Sequence, residues 1–301
     1  MITILGIILG LTTAFSQCFA YIFSRMYVTR HRHAYWHLLL ASHIYMGIAA
    51  LACIFFVWPT ALPPLRQYAI PLLGAGGFYV IAQGGLFILM RMTNPSRIAP
   101  LLGVKILILA LLATLFYGQE LAPMQWIAVV ACFGAVVTLN FSGGSLPLKA
   151  ILLLILTCTG YSLSDIHIGK LISALSGIDT VRAAIWAALA TYICLGVAAG
   201  AVVAITRPRS IFIEWKLSLP FSALWLIAVL TLYISIGILG PVFAIILQSS
   251  RGLMSVVLGA LLAHHGWAAV EAKLPRKIFI QRIAAAGLMI AAVALYVSAR
   301  K

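Results

Sequence analysis

Three ionisable side chains stand inside long apolar stretches of this chain, and they are where chemistry could occur. Lys105 lies within PSRIAPLLGVKILILALLATLFY (95–117), Arg251 within PVFAIILQSSRGLMSVVLGALLA (241–263), and Asp165 within YSLSDIHIGK (161–170). A charge at the centre of a membrane-length helix costs about 2.5–3.5 kcal/mol on insertion scales. Each therefore needs a partner or a task. Arginine grips a carboxylate or phosphate through two parallel N–H donors, while lysine offers a movable point charge. Two such cations facing one low-dielectric cavity repel each other, and an anionic ligand or an internal carboxylate would relieve the repulsion. Asp165 is either that internal partner or a functional group, as a proton-coupling site or the anchor for a substrate amine. Tyr161, one helical turn earlier, and His167, two residues later, are its candidate relay neighbours.

Other polar residues recur at helical spacing. Gln248, Arg251 and Ser255 fall at i, i+3 and i+7, one polar stripe. Gln17 and Tyr21 share a face, as do Tyr79 and Gln83, and polar residues so placed line a cavity or bond helix to helix. The candidate substrate-binding set is therefore Lys105, Arg251, Gln248, Ser255, Tyr79, Gln83, Gln17 and Tyr21. Asp165, His167 and Tyr161 form the candidate proton-coupling or ion-pair set. His43, alone in an apolar run, reads as a packing residue. No metal site is expected: His31, His33 and His264-His265 lack a nearby cysteine or acid. Cys18, Cys53, Cys132, Cys158 and Cys194 lie in apolar runs without a CxxC pair. No cofactor is expected, and no GxxxxGK[ST] loop is present to bind a nucleotide.

The elements that must position these residues follow from composition. The chain has 301 residues, 64% hydrophobic and 8% charged, with mean hydropathy +1.13. That is the composition of an all-α integral membrane protein. The net charge of +15 sits mostly in short gaps between apolar runs, where cations act as orientation signals rather than as a nucleic-acid footprint. Runs of about 20 apolar residues occur near 3–24, 35–57, 68–90, 97–117, 122–141, 149–170, 182–205, 217–238, 242–263 and 278–298. They predict ten transmembrane helices. The first lacks a basic leader before it and is read as a retained span. Tyr27, Tyr35, Trp36, Trp58, Trp215 and Trp267 fall near the span ends, as an interfacial aromatic belt would.

The spans repeat. Pro95 and Lys105 recur as Pro241 and Arg251, both at an offset of 146, and the same offset carries Phe15-Ser16 onto Tyr161-Ser162. Residues 1–145 and 146–301 are accordingly expected to be two five-helix copies. Five is odd, so the second copy is inverted in the membrane, the plan of secondary transporters with a site at the midplane. Each cation is ten residues past its proline, about 15 Å into its helix at 1.5 Å per residue, near the middle of a ~30 Å hydrocarbon core. Charge counting over the gaps puts thirteen cations on the side of gaps one–two, three–four, five–six, seven–eight and nine–ten, and five on the other. The positive-inside rule then places both termini outside the cytoplasm.

The stretch MTNPSRIAPLLGVKILILALLATLFYGQELAPMQWIAVVACFGAVV (92–137) resembles the drug/metabolite transporter superfamily, in its ten-helix EamA-like form. The pattern is a proline near the start of the fourth span, an acid after it (Glu120) and a glutamine opening the fifth (Gln125). Pro241 and Gln281 repeat it, with Gly266 or His264-His265 at the acidic position. The resemblance implies transport, usually export, with cytoplasmic termini, opposite to the charge count. Basic residues in spans four and nine of sugar-phosphate and nucleotide-sugar carriers are similarly placed to Lys105 and Arg251. The expectation is a secondary transporter, proton-coupled, working by alternating access. Its cargo would be a small anionic or zwitterionic metabolite: amino-acid-like, carboxylate or phosphorylated. The protein would sit in a bacterial inner membrane as a monomer or homodimer, in contact with lipid and not with nucleic acid. A lipid-phosphate flippase is the alternative. An enzyme is disfavoured, because the ionisable residues follow the repeat instead of gathering at one interface.

Overall fold

The computed structural model describes all residues except 1, 31–34, 93–97, 99–100, 119, 142–145, 209–210, 212–214, 265–274 and 300–301. His31, His33, Pro95, His265, Gly266 and Trp267 lie outside the described residues. The described elements are helices, and no strand occurs among them. They are α1 (Ile2–Arg30), α2 (Tyr35–Ile54), α3 (Leu65–Met92), α4 (Val104–Tyr117), α5 (Pro123–Phe141), α6 (Leu148–Ala174), α7 (Thr180–Thr206), α8 (Trp215–Leu239), α9 (Pro241–Gln248), α10 (Arg251–His264) and α11 (Arg276–Ser298). Seven stretches are long and apolar enough to cross a membrane, one of them running through α9 into α10, and Val104–Phe116 and Pro123–Ala135 are shorter apolar helices.

Local chemistry marks the helix ends. Asp179 caps α7, its carboxylate accepting from the Val181 and Arg182 amides at 3.0 and 3.1 Å. The Gln125 carboxamide oxygen accepts from the Ala122 amide at 2.9 Å at the start of α5. Gly240, at φ 83°, makes the turn between α8 and α9, and Pro241 supplies a preset φ at the first helical position.

The outer faces are greasy: Phe56 is 86% exposed and Ile205 81%. With lipid as the solvent for such faces, packing inside must come from close approach and from hydrogen bonds. Both occur. α2 crosses α7 at Gly47 and Gly196, where a Cβ on either would fall 2.7 Å from the other's Cα. Gly160 of α6 meets Ala82 of α3, and Gly6 of α1 meets Leu239 of α8. Thr13 and Thr231 hydroxyls bond at 2.8 Å between α1 and α8, and Ser164 of α6 donates to the Ala75 carbonyl of α3 at 2.8 Å.

The four most extensive helix contacts are α1 with α8, α3 with α6, α2 with α7, and α5 with α11. Exchanging the two halves of the chain leaves this set unchanged. The partners run antiparallel: Gly6 meets Leu239 while Thr13 meets Thr231, and Gly74 meets His167 while Gly85 meets Thr157.

One expectation about position changes. Tyr27 is only 2% exposed and belongs to the core, because its side of α1 is covered, so it is not part of an aromatic belt. Trp58 and Trp215 are 49% and 54% exposed near helix ends, as a belt requires. His43 is a packing residue as read: its ring stacks on Tyr192 with centroids 6.0 Å apart, and its Nδ1 bonds the Leu39 carbonyl.

Candidate functional site

The apolar runs around Lys105 and Arg251 do not continue as uniform α-helix. In the first, the ladder tightens: the Lys105 amide donates to Leu102 and the Ile106 amide to Gly103, both three residues back. In the second, Ser250 donates to Leu247 and Gly252 to Ser249, again three back. α4 therefore begins at Val104 and α10 at Arg251, so both buried cations sit in the first turn after a tightened segment. Such a segment inside a helix often marks a hinge, and a helix start carries the positive end of the macrodipole. Small residues permit it, Gly103 in the first run and Ser249-Ser250 in the second.

α6 and α1 hold the two tightened turns. Ser162 of α6 donates to the Lys105 carbonyl at 3.2 Å, and Cys18 of α1 donates to the Arg251 carbonyl at 3.4 Å. Cys18 also meets the Ser255 hydroxyl at 3.2 Å.

The side chains at the hinges face one cavity of about 30 Å³, room for one or two waters. Gln17, Tyr21, Tyr79, Lys105, Tyr161, Asp165, Gln248 and Arg251 line it, eight of the eleven residues that the sequence marks. The other three stand off. Gln83 accepts from the Tyr161 hydroxyl at 2.5 Å, behind the wall. Ser255 is turned to Cys18. His167 packs on Phe78 with its Nδ1 on the Leu163 carbonyl. Of the expected stripe of Gln248, Arg251 and Ser255, the first two reach the cavity and Ser255 does not.

The two cations are unequally served. Lys105 Nζ sits 2.5 Å from Asp165 Oδ2, 3.4 Å from Gln248 Oε1 and 5.3 Å from the Tyr161 ring centroid. Lys105 and Asp165 are each 3% exposed. Arg251, 4% exposed, donates from one terminal nitrogen to Gln17 Oε1 at 2.7 Å. Its Nε has no hydrogen-bond partner, and among the described residues no carboxylate lies in ion-pair range of it. Counting formal charges, the site holds two cations and one anion, a net single positive charge enclosed by protein.

The sequence reading missed the rest of the wall. Tyr192, Trp225 and Tyr233 complete an aromatic lining with Tyr21, Tyr79 and Tyr161. Trp225 Nε1 donates to the Tyr192 hydroxyl at 3.2 Å, which orients both. A signal was available: these aromatics lie in the middle of their spans, whereas belt residues lie at the ends. No group of three or more potential metal ligands exists among the described residues.

A helical membrane fold with a polar, charged chamber at its centre defines a class, the membrane transporters. The comparisons agree. The EamA-like transporter family matches residues 4–141, and over this stretch the chain is similar to that family of membrane transporters. A solved structure described only as the crystal structure of a protein is similar at TM-score 0.61 and 13% identity, covering 96% of this chain and 95% of that one. It shows the shared fold. No curated protein matches the chain.

Proposed function

We propose that the chain is a secondary transporter of a small anionic metabolite, a carboxylate or phosphorylated compound, held at Arg251 and moved by alternating access. The observation that carries this is the unequal service of the two cations. Asp165 neutralises Lys105, while Arg251 keeps an uncompensated charge and an unused N–H inside a closed cavity. A monoanion would bring the site to neutrality while Asp165 is ionised, and a dianion such as a phosphate ester once it is protonated; a zwitterion, carboxylate on Arg251 and amine toward Asp165, would leave it positive in both states. Charge accounting therefore ranks the anion above the zwitterion.

A cavity of about 30 Å³ is too small for a metabolite, so binding requires the wall to move. The tightened turns before α4 and α10 are where such motion would be absorbed. Ten crossings in two inverted copies, residues 1–145 and 146–301, account for the exchange-symmetric packing and for matching hinges at both cations. Asp165 would carry the coupling proton: while ionised it occupies Lys105, and once protonated it releases that ammonium to the anion. Proton and anion then load together, and the sum of their gradients sets the direction. Export, the direction that the resemblance implies, runs when the outward anion gradient exceeds the opposing proton gradient.

The test is uptake into and release from proteoliposomes for a panel of monocarboxylates, amino acids and phosphate esters under imposed pH gradients. Wild-type protein should move an anionic member of the panel, Arg251→Gln should not, and Arg251→Lys should retain part of the rate. Unimpaired transport by a folded Arg251→Gln variant overturns the reading.

A further inference from the structure

A second, larger cavity lies away from the central chamber, at the ends of three helices. It has a volume of about 520 Å³, within the range of small-ligand sites. Arg25 near the end of α1, Arg91 in the last turn of α3 and Lys149 in the first turn of α6 line it, with Thr29 and the apolar Val28, Ile88 and Met92. None of its lining residues is acidic. Arg25 also donates to the Met90 carbonyl, and the Arg91 guanidinium stands 5.2 Å from the Tyr35 ring centroid, so two of the cations are held in place.

We propose that this pocket binds the phosphate of an anionic membrane lipid. Three cations around one cavity fit an oxyanion, and the apolar half of the lining argues for a ligand that is itself amphiphilic. A path for the acyl chain starts next to Lys149. Leu148, Leu152 and Leu156, one turn apart along α6, are 70%, 58% and 57% exposed and form an outward apolar rail. The pocket is also at the cation-rich ends of the spans, where the positive-inside rule places the anionic cytoplasmic leaflet. This site is independent of the transport reading: it shares no residue with the central cavity.

The experiment is retention of phosphatidylglycerol, against phosphatidylcholine, by the purified full chain in native mass spectrometry. Each surface cation contributes about fivefold to binding of an anionic lipid, so Arg91→Gln with Lys149→Gln should lower phosphatidylglycerol retention roughly thirtyfold, toward the phosphatidylcholine level. Arg91→Lys with Lys149→Arg should retain it, and so should Arg251→Gln. The control is Arg207→Gln with Lys216→Gln, which removes two cations from the same side outside the pocket. If that pair lowers retention equally, the effect is general electrostatics and the site is refuted. Unchanged retention in the Arg91/Lys149 pair refutes it too. If inorganic phosphate stabilises the protein through Arg91 and Lys149 while phosphatidylglycerol binds no better than phosphatidylcholine, the occupant is a soluble anion and the lipid assignment is overturned.

Discussion

At the residue scale, the buried charges divide into a pair that the fold needs and a cation that it does not neutralise. Removing one partner of a buried ion pair leaves a bare charge and costs about 3–5 kcal/mol, whereas removing both is often close to neutral. Asp165→Asn should therefore lower thermal stability in detergent, and Lys105→Met with Asp165→Asn should recover most of the loss. A double variant no more stable than Asp165→Asn alone would show that the 2.5 Å pair contributes nothing. Arg251 should behave in the opposite way. Arg251→Gln removes an uncompensated buried charge, so the melting temperature should hold or rise. Anion transport should fall by roughly 30-fold or more, since truncating one partner of a hydrogen-bonded charge pair costs 2–5 kcal/mol. Stability thus rests on the Lys105–Asp165 pair, which also carries the coupling proton in the proposed cycle, while Arg251 serves transport alone.

At the scale of elements, glycine contacts set how close the helices come, and hinges set where they bend. The α2–α7 crossing at Gly47 and Gly196 has backbone against backbone, with no flexible side chain to yield. Gly196→Leu should lower thermal stability by about 1–3 kcal/mol or prevent folding. Gly77→Ala, with nothing within 4 Å of its added Cβ, should leave the melting curve at or above wild type. Equal loss in both would mean that helix propensity rather than the crossing is decisive. The hinges before Lys105 and Arg251 belong to the same scale. In both runs a tightened turn precedes the cation, and a neighbouring helix, α6 or α1, bonds the cation's own carbonyl.

For the whole molecule, the arrangement of pairs is the testable object. α1 and α8 are more than 200 residues apart in sequence, yet the Thr13 and Thr231 hydroxyls meet at 2.8 Å. Thr13→Cys with Thr231→Cys, in a background with the natural cysteines removed, should cross-link under mild oxidation; absence of a cross-link in membranes would refute the pairing. Orientation is a second whole-molecule property. Thirteen cations against five predict that a reporter fused after Lys301 reads outside the cytoplasm. A cytoplasmic signal would side with the arrangement that the EamA-like resemblance implies.

The sequence by itself determined the class, the positions of the membrane-length runs and the residues at the centre. These follow from one-dimensional facts: hydropathy over about 20 residues, the high cost of a charge within such a run, and an offset of 146 shared by Pro95, Lys105, Pro241 and Arg251. Eight of the marked residues meet in one cavity because polar groups in lipid-facing helices have nowhere else to go. The tertiary structure alone decided which cation takes Asp165. Lys105 and Arg251 are equivalent in sequence, and only three-dimensional proximity distinguishes them. It also left Ser255, Gln83 and His167 off the cavity wall, because helical spacing does not show which neighbour each side chain turns to: Cys18, Tyr161 and Phe78 respectively. The gathering of Arg25, Arg91 and Lys149 into one pocket is likewise tertiary. In sequence they are three orientation signals in separate gaps, and only the packing of α1, α3 and α6 turns them into a site.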